Sequence, residues 1–317
     1  MKIVITGSIA FDYLMHFPGK FSDALVADQL NKISLSFLVD SMQKHPGGTA
    51  PNIAYTMALL GSKPLVMATA GQDFKEYRAA LEASGVDTSA IVTIEDDFTA
   101  SFFVSTDDEQ NQIATFYTGA MAYAKELTFA RYAPNAELSI ISPNDPAAML
   151  AYAEECRQLG IPFIYDPSQQ TARVGGDELA ASMEGCTLLT LNEYEYGLLK
   201  EKTGYNDATI RDHINGLLVT KGKAGALLWA DGTEYHIPAA PPTTIKEPTG
   251  VGDAFRAGLM RGMELNLPWP IIGRMGALAA TYVLEHVGTQ NHYFTPASFV
   301  ARYREHFDDE GALDVLV

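Results

Sequence analysis

The stretch Glu247-Pro248-Thr249-Gly250-Val251-Gly252-Asp253-Ala254-Phe255 runs directly into a helical pattern through Arg256, Leu259, Met260 and Met263. Two glycines leave backbone N–H groups uncovered where that helix begins, so the positive end of its dipole faces outward as an anion site. Asp253 sits inside it. A carboxylate there repels a bound anion and is a poor choice for a mere anion holder. It makes sense as a base beside a phosphoryl group, taking a proton from the attacking hydroxyl. An ordinary glycine-containing turn with an acidic residue at a helix start has the same composition, so the rest of the chain decides.

Other segments point the same way. His45-Pro46-Gly47-Gly48-Thr49-Ala50-Pro51-Asn52 precedes Ile53, Ala54, Met57, Ala58 and Leu60 at helical spacing. Paired glycines admit a substrate close to the backbone, and Asn52 projects from the first helical turn; a plain turn into a helix would look alike. Asn192-Glu193-Tyr194-Glu195 heads a further helix as a capping box, and Glu195 is also suited to orient the waters of a Mg2+ ion on nucleotide phosphates. Thr220-Lys221-Gly222-Lys223-Ala224-Gly225 offers a hydroxyl, small residues and two cations after a strand, which fits either a phosphate loop or a glycine-rich hairpin with solvated lysines. Asp12 follows the apolar run Ile3–Ile5 and is expected in the loop beyond that strand's carboxyl end, where open α/β sheets bind ligands.

Competing signatures are missing from the sequence. No Gly-x4-Gly-Lys-Ser/Thr loop occurs, Phe255 takes the third glycine's place in a dinucleotide fingerprint, and no His-Glu-x-x-His or Gly-x-Ser-x-Gly is present. Phosphoryl transfer is the chemistry the residues match best. A net charge of −17 opposes nucleic-acid binding, which depends on Lys and Arg, so phosphates must be held by helix ends, a divalent cation and a few placed cations. The two cysteines, Cys156 and Cys186, have no metal or redox spacing and are expected as free thiols. No stretch of 18 apolar residues occurs and the first apolar run is too short for a signal peptide, so the expected location is cytoplasmic.

The elements that must position these groups follow from periodicity. With 317 residues, 47% of them hydrophobic, the chain can bury a sizeable core. Strand-like runs alternate with helical ones: Leu138–Ser142, Pro162–Tyr165, Thr187–Leu191 and Leu217–Thr220, then an antiparallel pair around Asp231-Gly232 and three closing helices, 254–265, 269–287 and 296–306. This rhythm predicts an α/β fold, a doubly wound and mostly parallel sheet with helices on both faces. Strand-like alternation in Val26–Val39 (Ile33, Leu35, Phe37, Val39), Thr99–Ser105 and Gln112–Tyr117 predicts a small inserted β-sheet lid. The expected division is 1–12, 46–93 and 121–317 for the large domain and 13–45 and 94–120 for the lid.

Gly47-Gly48 with Asn52, Asn192-x-x-Glu195, Thr220-x-Gly222-x-x-Gly225 and Thr249-Gly250-Val251-Gly252-Asp253, in this order and spacing, resemble the ribokinase-like (PfkB) sugar and nucleoside kinases across nearly the whole chain. Gly7-Ser8-Ile9-Ala10 with Asp12, Ser34–Asp40, Asp166–Gln170 and Gly252–Gly258 look like the bacterial adenosine kinases of actinobacterial type. The resemblance implies that Asp253 deprotonates the 5′-hydroxyl of adenosine, making AMP in purine salvage, while N–H groups of Gly250, Val251, Gly252 and Asp253 form the anion hole. It implies that Asp12, Gly48 and Asn52 hold the ribose, with Ser8 and Ser36 nearby. By the same resemblance, Phe37, Phe102 and Phe116 would enclose the purine, bordered by Gln169 and Gln170, and ATP would lie across Asn192, Thr220, Lys221, Gly222, Lys223, Ala224 and Gly225, with Mg2+ near Glu195 through water.

The three phenylalanines all come from the β segments, and an aromatic lid suits a flat base better than a bare hexose. Relatives most often have Asp where this chain has Glu247-Pro248; the longer side chain and rigid ring alter any contact to a cation such as K+. A homodimer through the lid sheet is expected. The rival readings are a kinase of the same family acting on a sugar or another nucleoside, and a nucleoside-binding protein without catalysis.

Overall fold

The computed structural model describes residues 1–24 and 35–317. Its strands are β1 (Ile3–Thr6), β2 (Ala10–His16), β3 (Ser41–Gly47), β4 (Leu65–Gly71), β5 (Ile91–Ile94), β6 (Ala100–Thr106), β7 (Gln112–Tyr117), β8 (Leu138–Ile141), β9 (Phe163–Tyr165), β10 (Leu188–Asn192), β11 (Gly216–Thr220), β12 (Ala226–Ala230) and β13 (Thr233–Ile237). The helices are α1 (Phe21–Ala24), α2 (Thr49–Leu59), α3 (Lys75–Ala83), α4 (Phe129–Tyr132), α5 (Pro146–Leu159), α6 (Gly176–Met183), α7 (Glu193–Thr203), α8 (Asp207–His213), α9 (Val251–Glu264), α10 (Trp269–Leu284) and α11 (Pro296–His306).

A nine-stranded sheet has the order β13-β12-β11-β10-β9-β8-β1-β4-β5, with every pairing parallel except β11–β12 and β12–β13, since β12 alone runs in the opposite direction. Its central strands are apolar on both faces, as helix-covered parallel strands must be: Ile3 and Ile5 enter the core shared with α2, α3, α9 and α10, while Val4 enters the core shared with α5 to α8. Local signals set the helix ends. Asp145 caps α5 by accepting from Ala148 N–H (3.0 Å), and Gly160 ends it in the left-handed region.

Four strands, β3-β2-β6-β7, form the separate small sheet. The expected β6 and β7 segments are present; of the third expected segment, 26–39, residues 26–34 lie outside the described residues and residues 35–39 carry no strand. The sheet is completed instead by β2 and β3. The alternating Leu35, Phe37 and Val39 misled because alternation needs a paired neighbour to become a strand, whereas β3, a largely exposed edge strand, shows no alternation at all. Asp12 is corrected with it, since it lies within β2 and not in a loop. The expected cuts after residues 12 and 45 fall inside β2 and β3.

Cys156 and Cys186 are free and buried. Among the described residues, no helix is long and apolar enough to cross a membrane.

Candidate active site

The chain steps from β1 to β4 and β5 on one side and to β8 on the other, so the sheet's topological switch lies between β1 and β8. A cleft of about 590 Å3 opens at the strand ends there, within the range of about 300–1,000 Å3 usual for small-molecule sites. Ser8, Pro143 and Ser168 to Gln170, which follow β1, β8 and β9, line it together with Gly48 and Asn52. A smaller cavity of about 130 Å3, lined by Asn192, Glu195 and Thr220, continues along the ends of β10 and β11.

The first turns of α2 and α9 meet in the larger cleft. Gly48 precedes α2 with φ 93°, and a Cβ there would sit 2.8 Å from Ile9 Cα and collide with the Ser8 carbonyl. Gly250 precedes α9 with φ 80°. Val251 N–H bonds the Pro248 carbonyl (3.3 Å) and Ala254 N–H bonds that of Gly250 (3.0 Å). The intervening N–H groups of Gly252 and Asp253 are those the helix leaves without an internal partner.

Asp253 Oδ2 accepts from Asn52 Nδ2 at 2.8 Å. Asn52 Oδ1 accepts from Gln290 Nε2 at 2.9 Å, and the same nitrogen donates to Tyr77 Oη at 2.5 Å. Tyr77 in turn donates to the Gly47 carbonyl at 3.0 Å. This chain orients the Asn52 amide, nitrogen toward the carboxylate. Burial pushes the Asp253 carboxyl up to about 6, opposed by the Arg256 guanidinium and by the Asn52 hydrogen bond.

The small sheet supplies the opposite wall through its register. Asp12 pairs with His45 on one side and Phe102 on the other, and Phe102 pairs with Phe116. Directly paired residues share a face, so one row brings Asp12, Phe102 and Phe116 to the cleft. Burial raises the Asp12 carboxyl; His45 opposes this and Glu247 adds to it.

In the smaller cavity the capping box is intact: Glu195 N–H donates to Asn192 Oδ1 (2.8 Å) and Asn192 N–H to Glu195 Oε2 (2.9 Å). The remaining candidates fall elsewhere. Ser36 is exposed, Phe37 packs edge-on against Phe17 and Phe21 (ring centroids 5.3 and 5.0 Å apart), and neither lines the cleft. Lys221, Gly222, Lys223, Ala224 and Gly225 form a turn outside both cavities, with Lys221 Nζ 3.9 Å from Glu193.

Ser168, Arg173, Arg256, Thr289 and Gln290 join the site without having been singled out. Only Arg256 had a readable signal, its place one helical turn after Gly252-Asp253. A carboxyl that titrates near neutrality, beside free N–H groups and a guanidinium, can take a proton from a hydroxyl while a phosphoryl group rests on the helix end.

Many known proteins are similar to this chain. Residues 18–296 match the pfkB family carbohydrate kinase. A nucleoside kinase of Methanothermobacter thermautotrophicus is 30% identical over 305 residues, 95% of each chain. The structure of Burkholderia thailandensis nucleoside kinase in complex with ADP-inosine aligns with a TM-score of 0.83 and 35% identity over 96% of both chains. Thermotoga maritima ribokinase, 19% identical, shares the fold with a TM-score of 0.78 over 96% of this chain and 99% of its own. The parallel sheet with its separate small sheet is thus a ribokinase-like fold, and the chain belongs to the pfkB family of kinases, phosphotransferases with an alcohol as acceptor.

Proposed function

We propose that this chain is a nucleoside kinase that transfers the γ-phosphoryl group of ATP to the 5′-hydroxyl of adenosine, yielding AMP and ADP. The observation that carries the reading is the single cross-strand row of Asp12, Phe102 and Phe116 facing a cleft that also holds Asp253. Two aromatic rings beside a carboxylate suit a flat base attached to a ribose: the rings take the base and the carboxylate accepts from ribose hydroxyls. The names of the 30% and 35% identical relatives support the same acceptor class.

In this reading Asp253 takes the 5′-hydroxyl proton as the new O–P bond forms, and ADP leaves with the electron pair of the broken bond. The N–H groups of Gly252 and Asp253 hold the oxygens of the phosphoryl group. Asn52 keeps the base in place and Gly48 lets the ribose reach the backbone. Gln169 borders the base; Gln170 is tied to the Asn144 carbonyl (2.8 Å) and shapes that wall. ATP lies along Asn192 and Thr220.

Glu195 fits Mg2+ through water, since only one of its carboxylate oxygens is used in the capping box. Mg2+ would neutralise charge on the donor phosphates. Glu247 Oε2 accepts from Gly288 N–H at 2.8 Å and ties together the two loops flanking Gly250. The small sheet acts as a lid that excludes water on closure. β7, with all six residues exposed at the sheet's edge, pairs across a two-fold axis in a homodimer.

The test is ADP release from Mg-ATP with adenosine, inosine, guanosine, ribose and fructose supplied separately. Turnover with adenosine supports the reading. Preference for inosine, the nucleoside in the Burkholderia complex, would move the acceptor to another purine nucleoside. Turnover with a sugar alone would discard the nucleoside assignment.

A further inference from the structure

We propose that Arg256 is a catalytic residue of the transfer, its Nη1 donating to the phosphoryl group as it passes from donor to acceptor, and that Asp166 is the residue that positions it. The proposal rests on the kinase reading above and adds to it the side chain that carries the fixed positive charge.

The first argument is location. Three residues line both cavities: Ser168, Gly252 and Arg256. A group in transit between a donor in the smaller cavity and an acceptor in the larger must pass that junction. Gly252 contributes backbone N–H and Ser168 a left-handed turn (φ 43°), so Arg256 brings the only charge among the three.

The second argument is geometry. Arg256 lies one turn beyond Gly252 on α9, and helical side chains lean toward the N-terminus. Its guanidinium therefore returns to the free N–H groups. A Cβ on Gly252 would lie 2.6 Å from Nη1, so glycine at 252 is what allows the guanidinium to reach the helix end. Nε and Nη2 are each 2.5 Å from a carboxylate oxygen of the fully buried Asp166, which leaves Nη1 as the nitrogen turned toward Gly252. A buried ion pair adds little net stability against its desolvation; one that presents a free N–H at a junction of two cavities fixes a direction instead.

The third argument is charge. Among residues lining the two cavities, the cations are Arg173 and Arg256, against the carboxylates of Asp12, Asp253 and Glu195. Lys221 and Lys223, the cations nearest the expected nucleotide loop, line neither. A phosphoryl group spreads negative charge over three oxygens in transfer, and among these cations only Arg256 reaches both sides of its path. It exchanges no proton: the hydroxyl proton goes to Asp253, and Arg256 stabilises charge on the phosphoryl oxygens.

The test compares Arg256→Met, Arg256→Lys and Asp166→Asn with the wild type in kcat, acceptor KM and MgADP affinity measured by calorimetry without acceptor. Arg256→Met should lower kcat at least about 100-fold with acceptor KM and MgADP affinity within threefold. Arg256→Lys should regain about a tenth of the activity, and Asp166→Asn should lose about tenfold in kcat alone. Fluoroaluminate with ADP and acceptor should bind tightly to the wild type and not to Arg256→Met, a difference that a purely structural ion pair would not produce. A kcat within threefold of wild type, or a loss confined to acceptor KM, overturns the proposal. If Arg256→Met does not fold, Arg256→Lys is judged by the same criteria, with a tenfold fall in kcat as support. The wild type is assayed first; if it phosphorylates a sugar and no nucleoside, the nucleoside reading fails and the Arg256 comparison is made with that sugar.

Discussion

Replacing Asp253 by Asn should sharply reduce turnover and make the protein more stable at neutral pH. The Asp253 carboxyl titrates at about 6 in the folded chain against 3.8 as its ordinary value, chiefly through burial. The native state therefore binds this proton more tightly than the unfolded chain, and the sign of the linkage follows. Below 3.8 both states are protonated and the residue is neutral in its effect; as pH rises through 3.8 to 6 the unfolded chain ionises first, and stability falls to a lower plateau. A difference of about two units at ~1.36 kcal/mol each sets an upper bound near 3 kcal/mol. Asp253 is half-buried and faces a cleft that water enters, which reduces the expected gain to about 1–2 kcal/mol. Asn keeps the shape and the acceptor for Asn52. Melting curves at pH 8 should show a rise of about 2–4 °C for the variant, and at pH 5 roughly half of it. Turnover should fall by about 10³, within the range for loss of a general base. A gain that does not depend on pH, or a variant less stable than wild type at pH 8, would refute the claim that a buried, ionised Asp253 is maintained for chemistry.

Three further outcomes follow from the same geometry. Because the base works deprotonated, kcat/KM should drop tenfold per unit below about pH 6; Asn52→Ala removes a hydrogen bond to the ionised form and should move that limb to higher pH, read in a pH–rate profile. Phe116→Ala should raise the nucleoside KM about tenfold or more, since base–aromatic stacking contributes ~1–3 kcal/mol, and should leave any use of a sugar unchanged. Gly48→Ala combines a left-handed φ with a collision at the Ser8 carbonyl; denaturant titration should show a loss exceeding about 1 kcal/mol.

What was legible in the sequence is what is local along the chain. Gly250 to Asp253 can be read because a helix N-terminus and its orphan N–H groups are built from consecutive residues, and Asn192 with Glu195 because a capping box spans one turn. The alternating strands and helices after residue 137 were legible for the same reason: buried parallel strands carry unbroken apolar runs. Asp12 and Phe37 were misplaced because their positions depend on pairing. β2 follows β1 after only a short break, so its start reads as a loop, and Phe37 belongs to an irregular stretch whose neighbours are Phe17 and Phe21.

The wall formed by Asp12, Phe102 and Phe116 exists only through register, since a one-residue slip of β6 against β2 would turn both rings away from the cleft. The β6–β7 turn is correspondingly pinned by Asp107, fully buried, whose carboxylate accepts from the N–H groups of Phe21 (3.0 Å), Glu109 (2.9 Å) and Asn111 (2.8 Å). In the bare sequence that residue is one of three acidic letters in a turn. Its burial ties α1, the turn and both aromatic strands together, so the placement of both rings in the cleft wall depends on a carboxylate that lines neither cavity.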